Sequence, residues 1–223
     1  MNRIIILLLL TTGYQLSASA QGPLTPPGAP APTMLTLNQI EPRTPITNAT
    51  AVTISASGSY YLTTNITVTT GSAITMTASQ VTLDLNGFSV SSTAASATGT
   101  GILLAGGNAD ITILNGHIKG GVTYSGGVYS SGPGFANGIT YSGTTPFNVR
   151  VSGVSVSGCS NYGIYLTLGD STVVESSTVR TVGGYGIQAN SVLRSTANQC
   201  GSVAMIAYIA SDCYASSTGS QGL

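Results

Sequence analysis

The chain has 223 residues, with six Lys plus Arg, six Asp plus Glu and no net charge. Charged residues make up 5% of the sequence, against about 25% in an average soluble domain. Its surface must therefore be made polar by Ser, Thr, Asn and Gly. Proteins that bind nucleic acids neutralise phosphates with Lys and Arg, and this chain has no excess of either. The composition argues against a nucleic-acid partner.

Residues 1–20 have the parts of a secretory signal peptide. A positive charge near the start is followed by an apolar run at 4–10, and Ala18-Ser19-Ala20 fits the small-residue cleavage site. The apolar run is too short for a transmembrane helix, which needs about 20 residues. We therefore expect export to the outside or surface of the cell, and no membrane contact after the signal is removed.

Two segments precede the main pattern of the chain. Residues 21–33 are a Pro-rich linker, because GPLTPPGAPAP (22–32) is prone to polyproline and forms no core element. Residues 34–50 are a predicted cap segment, in which apolar residues of MLTLNQIEPR (34–43) line one side of a short helix before Pro42. Such a helix would cover the edge strands of a following sheet. An extended segment is the alternative.

Residues 51–223 are rich in short runs of Val, Ile and Thr separated by Gly, Ser and Asn. Apolar and polar residues alternate in them, which predicts half-buried strands. The clearest runs are VTLDL (81–85), ITIL (111–114), VRVSGVSV (149–156) and TVVESSTV (172–179). In the first run the alternation predicts Val81, Leu83 and Leu85 inward, Thr82, Asp84 and Asn86 outward, and a turn at Asn86-Gly87.

The same region repeats itself. GILL (101–104) and GITY (138–141) share a Gly-Ile slot, and YGIYL (162–166) recurs as YGIQA (185–189) at an offset of 23. The triplet LNG recurs at an offset of 29, at 85–87 and 114–116. Further along, Leu193 follows Val174 by 19 residues, as Ile206 follows Ile187.

A repeat of about 17 to 38 residues without a helix cannot bury its apolar side chains alone, so it has to stack on its neighbours. This predicts a parallel β-solenoid of about seven or eight coils. A sandwich or a propeller is the alternative, but propeller blades need about 40 to 50 residues and aromatic signatures, and the chain has no Trp.

A resemblance to a known family is carried by four segments: ASGSYYLTTNITV (56–68), VTLDLNGFSV (81–90), ADITILNGHIKG (109–120) and NVRVSGVSVSGCSNYGIYL (148–166). With them the chain resembles the secreted bacterial parallel β-helix repeat proteins of pectin-lyase-like fold, over about residues 52 to 223. The resemblance implies an all-β, right-handed, single-stranded parallel β-helix. It says less about activity, because this fold includes polysaccharide lyases, glycoside hydrolases and members without a known reaction.

Hydrolysis of a polysaccharide needs two carboxylates that converge on one bond. Asp84 and Asp110 are the weak candidates, since they lie in adjacent predicted coils, but Asp110 precedes its strand whereas Asp84 lies within one. Elimination by a lyase needs a base, which the resemblance implies is Lys or Arg. His117, Lys119 and Arg150 are the candidates, with Lys119 or Arg150 as the base.

No cofactor is expected, and Ca²⁺ would be needed only by a lyase. Calcium takes six to eight oxygen ligands, and no cluster of acids is visible. The chain has one His and no close Cys-x-x-Cys pair, so no metal site is expected. Cys159, Cys200 and Cys213 are predicted to serve as small buried apolar side chains.

An insertion, TYSGGVYSSGPGFANGITYSG (123–143), carries several aromatic residues among glycines. Aromatic faces stack on sugar rings, and loops on a rigid scaffold often carry binding residues. Tyr124, Tyr129 and Tyr141 are therefore candidate carbohydrate-binding residues. The alternative is that these rings only pack against the solenoid.

The function predicted from these features is contact with extracellular polysaccharide without clear catalytic machinery. One alternative is a polysaccharide lyase or glycoside hydrolase that acts on an acidic polysaccharide, and another is a structural surface or spacer protein. The last residues, GSQGL (219–223), show no capping pattern. This indicates either that residues 51–223 are part of a longer solenoid, which is the favoured interpretation, or that the uncapped coil is a site of self-association.

Overall fold

The structure is a computed structural model that describes residues 41–130, 132–168 and 170–218. Within these ranges the chain has 22 strands and no helix. The chain divides into two units, Met1–Glu41 and Pro42–Leu223, and the 22 described strands lie in the second of these units. The predicted signal peptide (1–20), linker (21–33) and capping helix before Pro42 fall outside the described residues, apart from Glu41.

Most strands form three columns in which each strand pairs in parallel with its counterpart in the next repeat. Column 1, in the larger sheet, contains β1 (Thr44–Ile46), β3 (Gly58–Leu62), β6 (Val81–Asp84), β9 (Ala109–Lys119), β13 (Phe147–Ser157), β15 (Val173–Glu175), β18 (Ser191–Leu193) and β21 (Ile209–Ser211). Column 2, in the same sheet, contains β4 (Ile66–Val68), β7 (Ser89–Ser92), the second halves of β9 and β13, β16 (Thr178–Val182), β19 (Thr196–Cys200) and β22 (Tyr214–Ser217).

The smaller sheet is column 3. It contains β2 (Val52–Ile54), β5 (Ile74–Met76), β8 (Thr100–Ala105), β12 (Asn137–Ser142), β14 (Tyr162–Tyr165), β17 (Ile187–Gln188) and β20 (Met205–Ile206). A separate antiparallel hairpin is formed by β10 (Tyr124–Ser125) and β11 (Val128–Tyr129). Each repeat runs from column 3 through column 1 to column 2. This all-β arrangement of parallel sheets is compatible with a parallel β-helix.

The register confirms a repeat of variable length. Successive partners in column 1 are 16 residues apart at Thr44 and Tyr60, 38 apart at Ile113 and Val151, and 18 apart at Val174 and Val192. The longest repeat is the one that holds the insertion. Column 1 has eight strands within the described residues, in agreement with the seven or eight repeats predicted.

The predicted offset of 19 late in the chain is wrong by one residue. Val174 pairs with Val192 rather than Leu193, and Ile187 pairs with Met205 rather than Ile206. Burial explains the true register, because Val192 is fully buried and Met205 is 2% exposed. A shift by one residue would turn every side chain of these strands to the other face.

The strand at 81–85 has the predicted alternation. Val81, Leu83 and Leu85 are buried, whereas Thr82, Asp84 and Asn86 are partly or fully exposed. Asn86 and Gly87 form the predicted turn into β7. Asp84 is therefore an outward residue of one repeat.

The corner between columns 1 and 2 has a left-handed backbone in six successive repeats. The residues are Asn86, Asn115, Gly153, Ser176, Arg194 and Asp212, with φ between 46° and 66°. Gly and Asn enter this region at the lowest cost, which explains the recurrence of Asn in LNG. Backbone bonds join neighbouring corners, since Gly87 N donates to Asn115 O and Arg194 N donates to Ser211 O, both at 2.8 Å.

Glycine recurs in column 3 because there is no room for a side chain. Gly101, Gly138, Gly163 and Gly186 each precede an inward Ile. A Cβ at Gly163 would overlap the side chain of Val179 in column 2, and it would lie 2.5 Å from Gly186 O in the next repeat. These four positions are named here the glycine column, and they explain the Gly-Ile slot seen in the sequence.

Gly163→Ala should lower the free energy of unfolding by about 3 kcal/mol, because the added methyl group meets the Val179 side chain and a backbone oxygen that cannot rotate away. Urea denaturation measures the loss. Gly126→Ala is the control: Gly126 has a φ of 60° but nothing within 4 Å of the place that a methyl group would occupy, so only backbone strain of about 1 kcal/mol is expected. Equal losses in the two variants would contradict close packing as the reason for the glycine column.

Candidate functional site

Asp84 and Asp110 are not brought together. Asp84 lies at the end of β6 opposite Leu114. Asp110 lies within β9 rather than before it, as was predicted, next to Ile111, the partner of Val81 at the start of β6. The two carboxylates therefore lie near opposite ends of a strand, separated by about four residues at roughly 3.3 Å each. Carboxylate pairs in glycosidases are about 5 to 9.5 Å apart.

Each of these acids has structural partners. Asp84 accepts hydrogen bonds from Arg43 Nη1 at 3.2 Å and from the backbone N–H of Asn86 at 2.8 Å. Asp110 accepts one from Asn148 Nδ2 at 2.5 Å. The bond to Asn86 holds the left-handed corner in place, and the ion pair fixes residues before β1 against column 1. Asp84 thus supports the backbone of its corner, and Asp110 joins two adjacent repeats through a side-chain amide.

A third acid, Glu175, forms the densest ionic cluster in the described part of the chain. Its Oε1 accepts a hydrogen bond from Arg150 Nη1 at 2.5 Å, and its Oε2 accepts one from Arg194 Nη2 at 3.3 Å. The side chain of Glu175 is 15% exposed, whereas those of Arg150 and Arg194 are 52% and 60% exposed. The two guanidinium groups therefore flank the Glu175 carboxylate, one from each neighbouring repeat.

Glu175 and Arg194 were not predicted as site residues. They come together because Glu175 lies opposite Ser152 in one neighbouring strand and opposite Leu193 in the other. The correct register of the repeats was the signal that would have found them.

The other candidate bases are separated from Arg150. His117 and Lys119 are exposed on the second half of β9, opposite Ser155 and Ser157 in column 2. Arg150 lies in column 1 opposite Thr112. His117 and Lys119 thus share column 2, whereas Arg150 lies on column 1. No group of three or more His, Cys, Asp or Glu that could hold a metal occurs among the described residues.

The insertion divides into two structures. Its first half is the β10–β11 hairpin, where the rings of Tyr124 and Tyr129 have centroids 4.7 Å apart and are tilted by 41°. The Tyr129 hydroxyl shares a hydrogen bond of 2.8 Å with the Thr218 hydroxyl. Burial raises the pKa of Tyr129, and the bond to Thr218 partly opposes this shift. The hairpin is thus fastened to the last described repeat. Phe135, between the two halves, is fully buried.

Tyr141 belongs to strand β12 rather than to a projecting loop. It is one of four tyrosines, here named the tyrosine row, that stack across three successive repeats of column 3. Centroid distances are 6.2 Å for Tyr141–Tyr165, 4.3 Å for Tyr162–Tyr165, 5.7 Å for Tyr162–Tyr185 and 6.2 Å for Tyr165–Tyr185. Interplanar angles lie between 16° and 23°.

The sequence positions of the row follow from the glycine column. Tyr162 and Tyr185 each precede a glycine of that column, and the pairing of Ile164 with Ile187 places one tyrosine over the other. Tyr162, Tyr165 and Tyr185 were missed as candidates. The recurrence of YGIYL as YGIQA contained the signal, because aromatic side chains at equal positions of stacked repeats face each other.

The row is partly exposed to solvent. All four side chains are half-buried, and their faces largely cover one another. Within the described residues no hydrogen bond is found for any of the four hydroxyls. Burial raises the pKa of Tyr141, with smaller contributions from Tyr165 and Asp170, so this phenol is neutral at physiological pH. Neutral phenols donate and accept hydrogen bonds but supply no base.

A separate cavity of about 260 Å³ lies beside the first repeats. It is lined by residues between Thr44 and Tyr60, and none of the candidate residues above is among them.

Comparison with protein-family models, with curated proteins and with solved structures finds no match for this chain. The fold assignment therefore depends on strand pairing, and the functional assignment depends on the geometry of side chains. No helix among the described residues is long and apolar enough to span a membrane.

Tyr129→Phe should lower the free energy of unfolding by about 1 kcal/mol, because it deletes the hydrogen bond to Thr218 and keeps the ring. Amide hydrogen exchange in the hairpin should also become faster. Tyr124→Phe is the matched control, since no hydrogen bond of the Tyr124 hydroxyl is found in the described residues. If both variants exchange like the unmodified chain, the hairpin is held by something other than this bond.

Proposed function

We propose that the chain is an exported right-handed parallel β-helix of pectin-lyase-like type that contacts extracellular polysaccharide through the tyrosine row, without catalysis. The observation that carries the proposal is the set of four neighbouring phenol hydroxyls that lack a partner within the described residues. The signal-like residues 1–20 and the resemblance of residues 52–223 support the export and the fold type.

The row suits a polyhydroxylated ligand better than an apolar one. Stacked faces leave little aromatic surface for sugar rings except at the outer faces of Tyr141 and Tyr185. The exposed edges carry hydroxyls, which both donate and accept hydrogen bonds, as sugar hydroxyls do. Adjacent strands are about 4.8 Å apart, so a sugar chain that crosses the repeats would meet a hydroxyl at each of the three repeats in turn.

The arrangement of the acids gives less support to a lyase or a hydrolase. Asp84 and Asp110 are apart and bound to backbone or side-chain donors. Glu175 lies between two guanidinium groups, and among the described residues no second carboxylate is found beside it. Catalysis on an acidic polysaccharide remains the alternative function, and a passive spacer is the other.

We expect replacement of all four tyrosines of the row by Phe to weaken, by at least about tenfold, the binding of any polysaccharide that the unmodified chain binds. The loss of only two hydrogen bonds of about 1 kcal/mol each already corresponds to more than tenfold in affinity. The rings and their stacking are kept, so circular dichroism and thermal unfolding should stay close to those of the unmodified chain. Calorimetry or affinity electrophoresis measures the binding.

Tyr124→Phe with Tyr129→Phe is the matched control and should bind as the unmodified chain does. Loss of binding in this control, with binding retained in the row variant, would move the contact to the hairpin. A chain that binds no polysaccharide of a broad panel would favour the spacer function.

Incubation with acidic and neutral polysaccharides, with and without Ca²⁺, should release neither unsaturated products nor new reducing ends, because Asp84 and Asp110 lie apart and Arg150 lies on a different column from His117 and Lys119. Absorbance of unsaturated uronates and a reducing-sugar assay measure the two outcomes. Release that is lost in Arg150→Lys or Glu175→Gln would establish the enzyme and overturn the non-catalytic proposal.

A further inference from the structure

The tyrosine row brings easily oxidised rings into contact. Tyr162 and Tyr165 have ring centroids 4.3 Å apart and planes 18° from parallel. Tyr185 stacks on both of them, at 5.7 Å and 6.2 Å, and Tyr141 stacks on Tyr165. A hydroxyl without a partner in the described residues is free to release its proton to solvent when the ring loses an electron.

Few other side chains compete for one-electron oxidants. The chain has no Trp, so tyrosine is its main oxidisable aromatic residue. Cys159 and Cys200 are buried, and burial raises the pKa of each thiol to about 12. They therefore stay protonated thiols, whereas the reactive form of cysteine is the thiolate. Cys213 is the one half-buried thiol of the three.

We propose that the tyrosine row is a site of oxidative cross-linking, at which Tyr162 and Tyr165 couple to dityrosine. Each phenol loses one electron and one proton to give a phenoxyl radical. A carbon–carbon bond then forms between ring positions ortho to the two oxygens, and the hydrogens on those carbons move to the oxygens, which restores two phenols. The oxidant is hydrogen peroxide used by a haem peroxidase: its O–O bond breaks, and it takes up both electrons and both protons to give two waters.

The geometry favours this pair over Tyr124 and Tyr129, another close pair in the described part of the chain. Tyr124 and Tyr129 are 4.7 Å apart but tilted by 41°, and the Tyr129 hydroxyl is hydrogen-bonded to Thr218. The Tyr162–Tyr165 pair is nearly parallel, and Tyr141 and Tyr185 stack on it. A second product, Tyr162–Tyr185, would join two consecutive repeats covalently. This cross-linking does not depend on polysaccharide binding.

Peptide mapping shows which tyrosines have been coupled. Cleavage after Lys and Arg places Tyr124, Tyr129 and Tyr141 in peptide 120–150, Tyr162 and Tyr165 in 151–180, Tyr185 in 181–194, and Tyr208 and Tyr214 in 195–223. The dilute chain is treated with hydrogen peroxide and a catalytic amount of haem peroxidase, and the monomer is isolated before digestion. We expect peptide 151–180 to lose two hydrogens, with fragmentation suppressed between Tyr162 and Tyr165, together with dityrosine fluorescence.

Tyr165→Phe and, separately, Tyr162→Phe should abolish this product, because phenylalanine forms no phenoxyl radical. Tyr129→Phe is the control and should leave the product unchanged. The proposal is overturned if cross-links map to peptide 120–150 alone, or if they occur only between molecules through Tyr208 and Tyr214, which are 72% and 57% exposed. An oxidised monomer without any coupled peptide would overturn it as well.

Discussion

The close approach of columns 2 and 3 is the constraint on which the rest of the structure depends. At each repeat an inward side chain of column 2 fills the space that a Cβ on the glycine column would occupy, as Val179 does at Gly163. The next repeat is equally near, since Gly186 O lies 2.5 Å from that same Cβ position. Because this contact recurs in four repeats, it fixes both the width of the packed interior and the register of the strands that follow each glycine.

Fixed register has a direct consequence on the outer faces. Residues at equivalent positions lie one above another about 4.8 Å apart, so any side chain that recurs in the sequence becomes a row on the surface. Tyrosines beside Gly163 and Gly186 become stacked rings. Glu175 in turn reaches Arg150 and Arg194, which lie two residues before Ser152 and one residue after Leu193, its partners in the neighbouring repeats. The packing of the interior therefore sets the spacing of the side chains on the surface.

Much of the fold could be predicted from local pattern. Alternation placed Val81, Leu83 and Leu85 inside, and the recurrence of Gly-Ile identified strands that do pair. The one-residue error at Leu193 arose because Leu193 and Val192 are both apolar, so composition alone did not reveal which one is inward. The candidate site was predicted less well. Tyr124 and Tyr129 were predicted because they lie in a glycine-rich insertion. The tyrosine row was missed because it depends on the register between repeats, and Tyr162 and Tyr185 are 23 residues apart in the sequence.

The scarcity of charge gives the few ionic side chains a specific role. Exposed ion pairs contribute little to stability, often less than about 1 kcal/mol, so Arg43 with Asp84 and the Glu175 cluster add modestly to the packed interior. Their value lies in selection among registers: Glu175 meets both arginines only when Ser152 and Leu193 lie opposite it. A slip of the repeats would separate these partners and also bring a Cβ-bearing residue into the glycine column. Packing and charge therefore favour the same register, and that register is the one that assembles the tyrosine row.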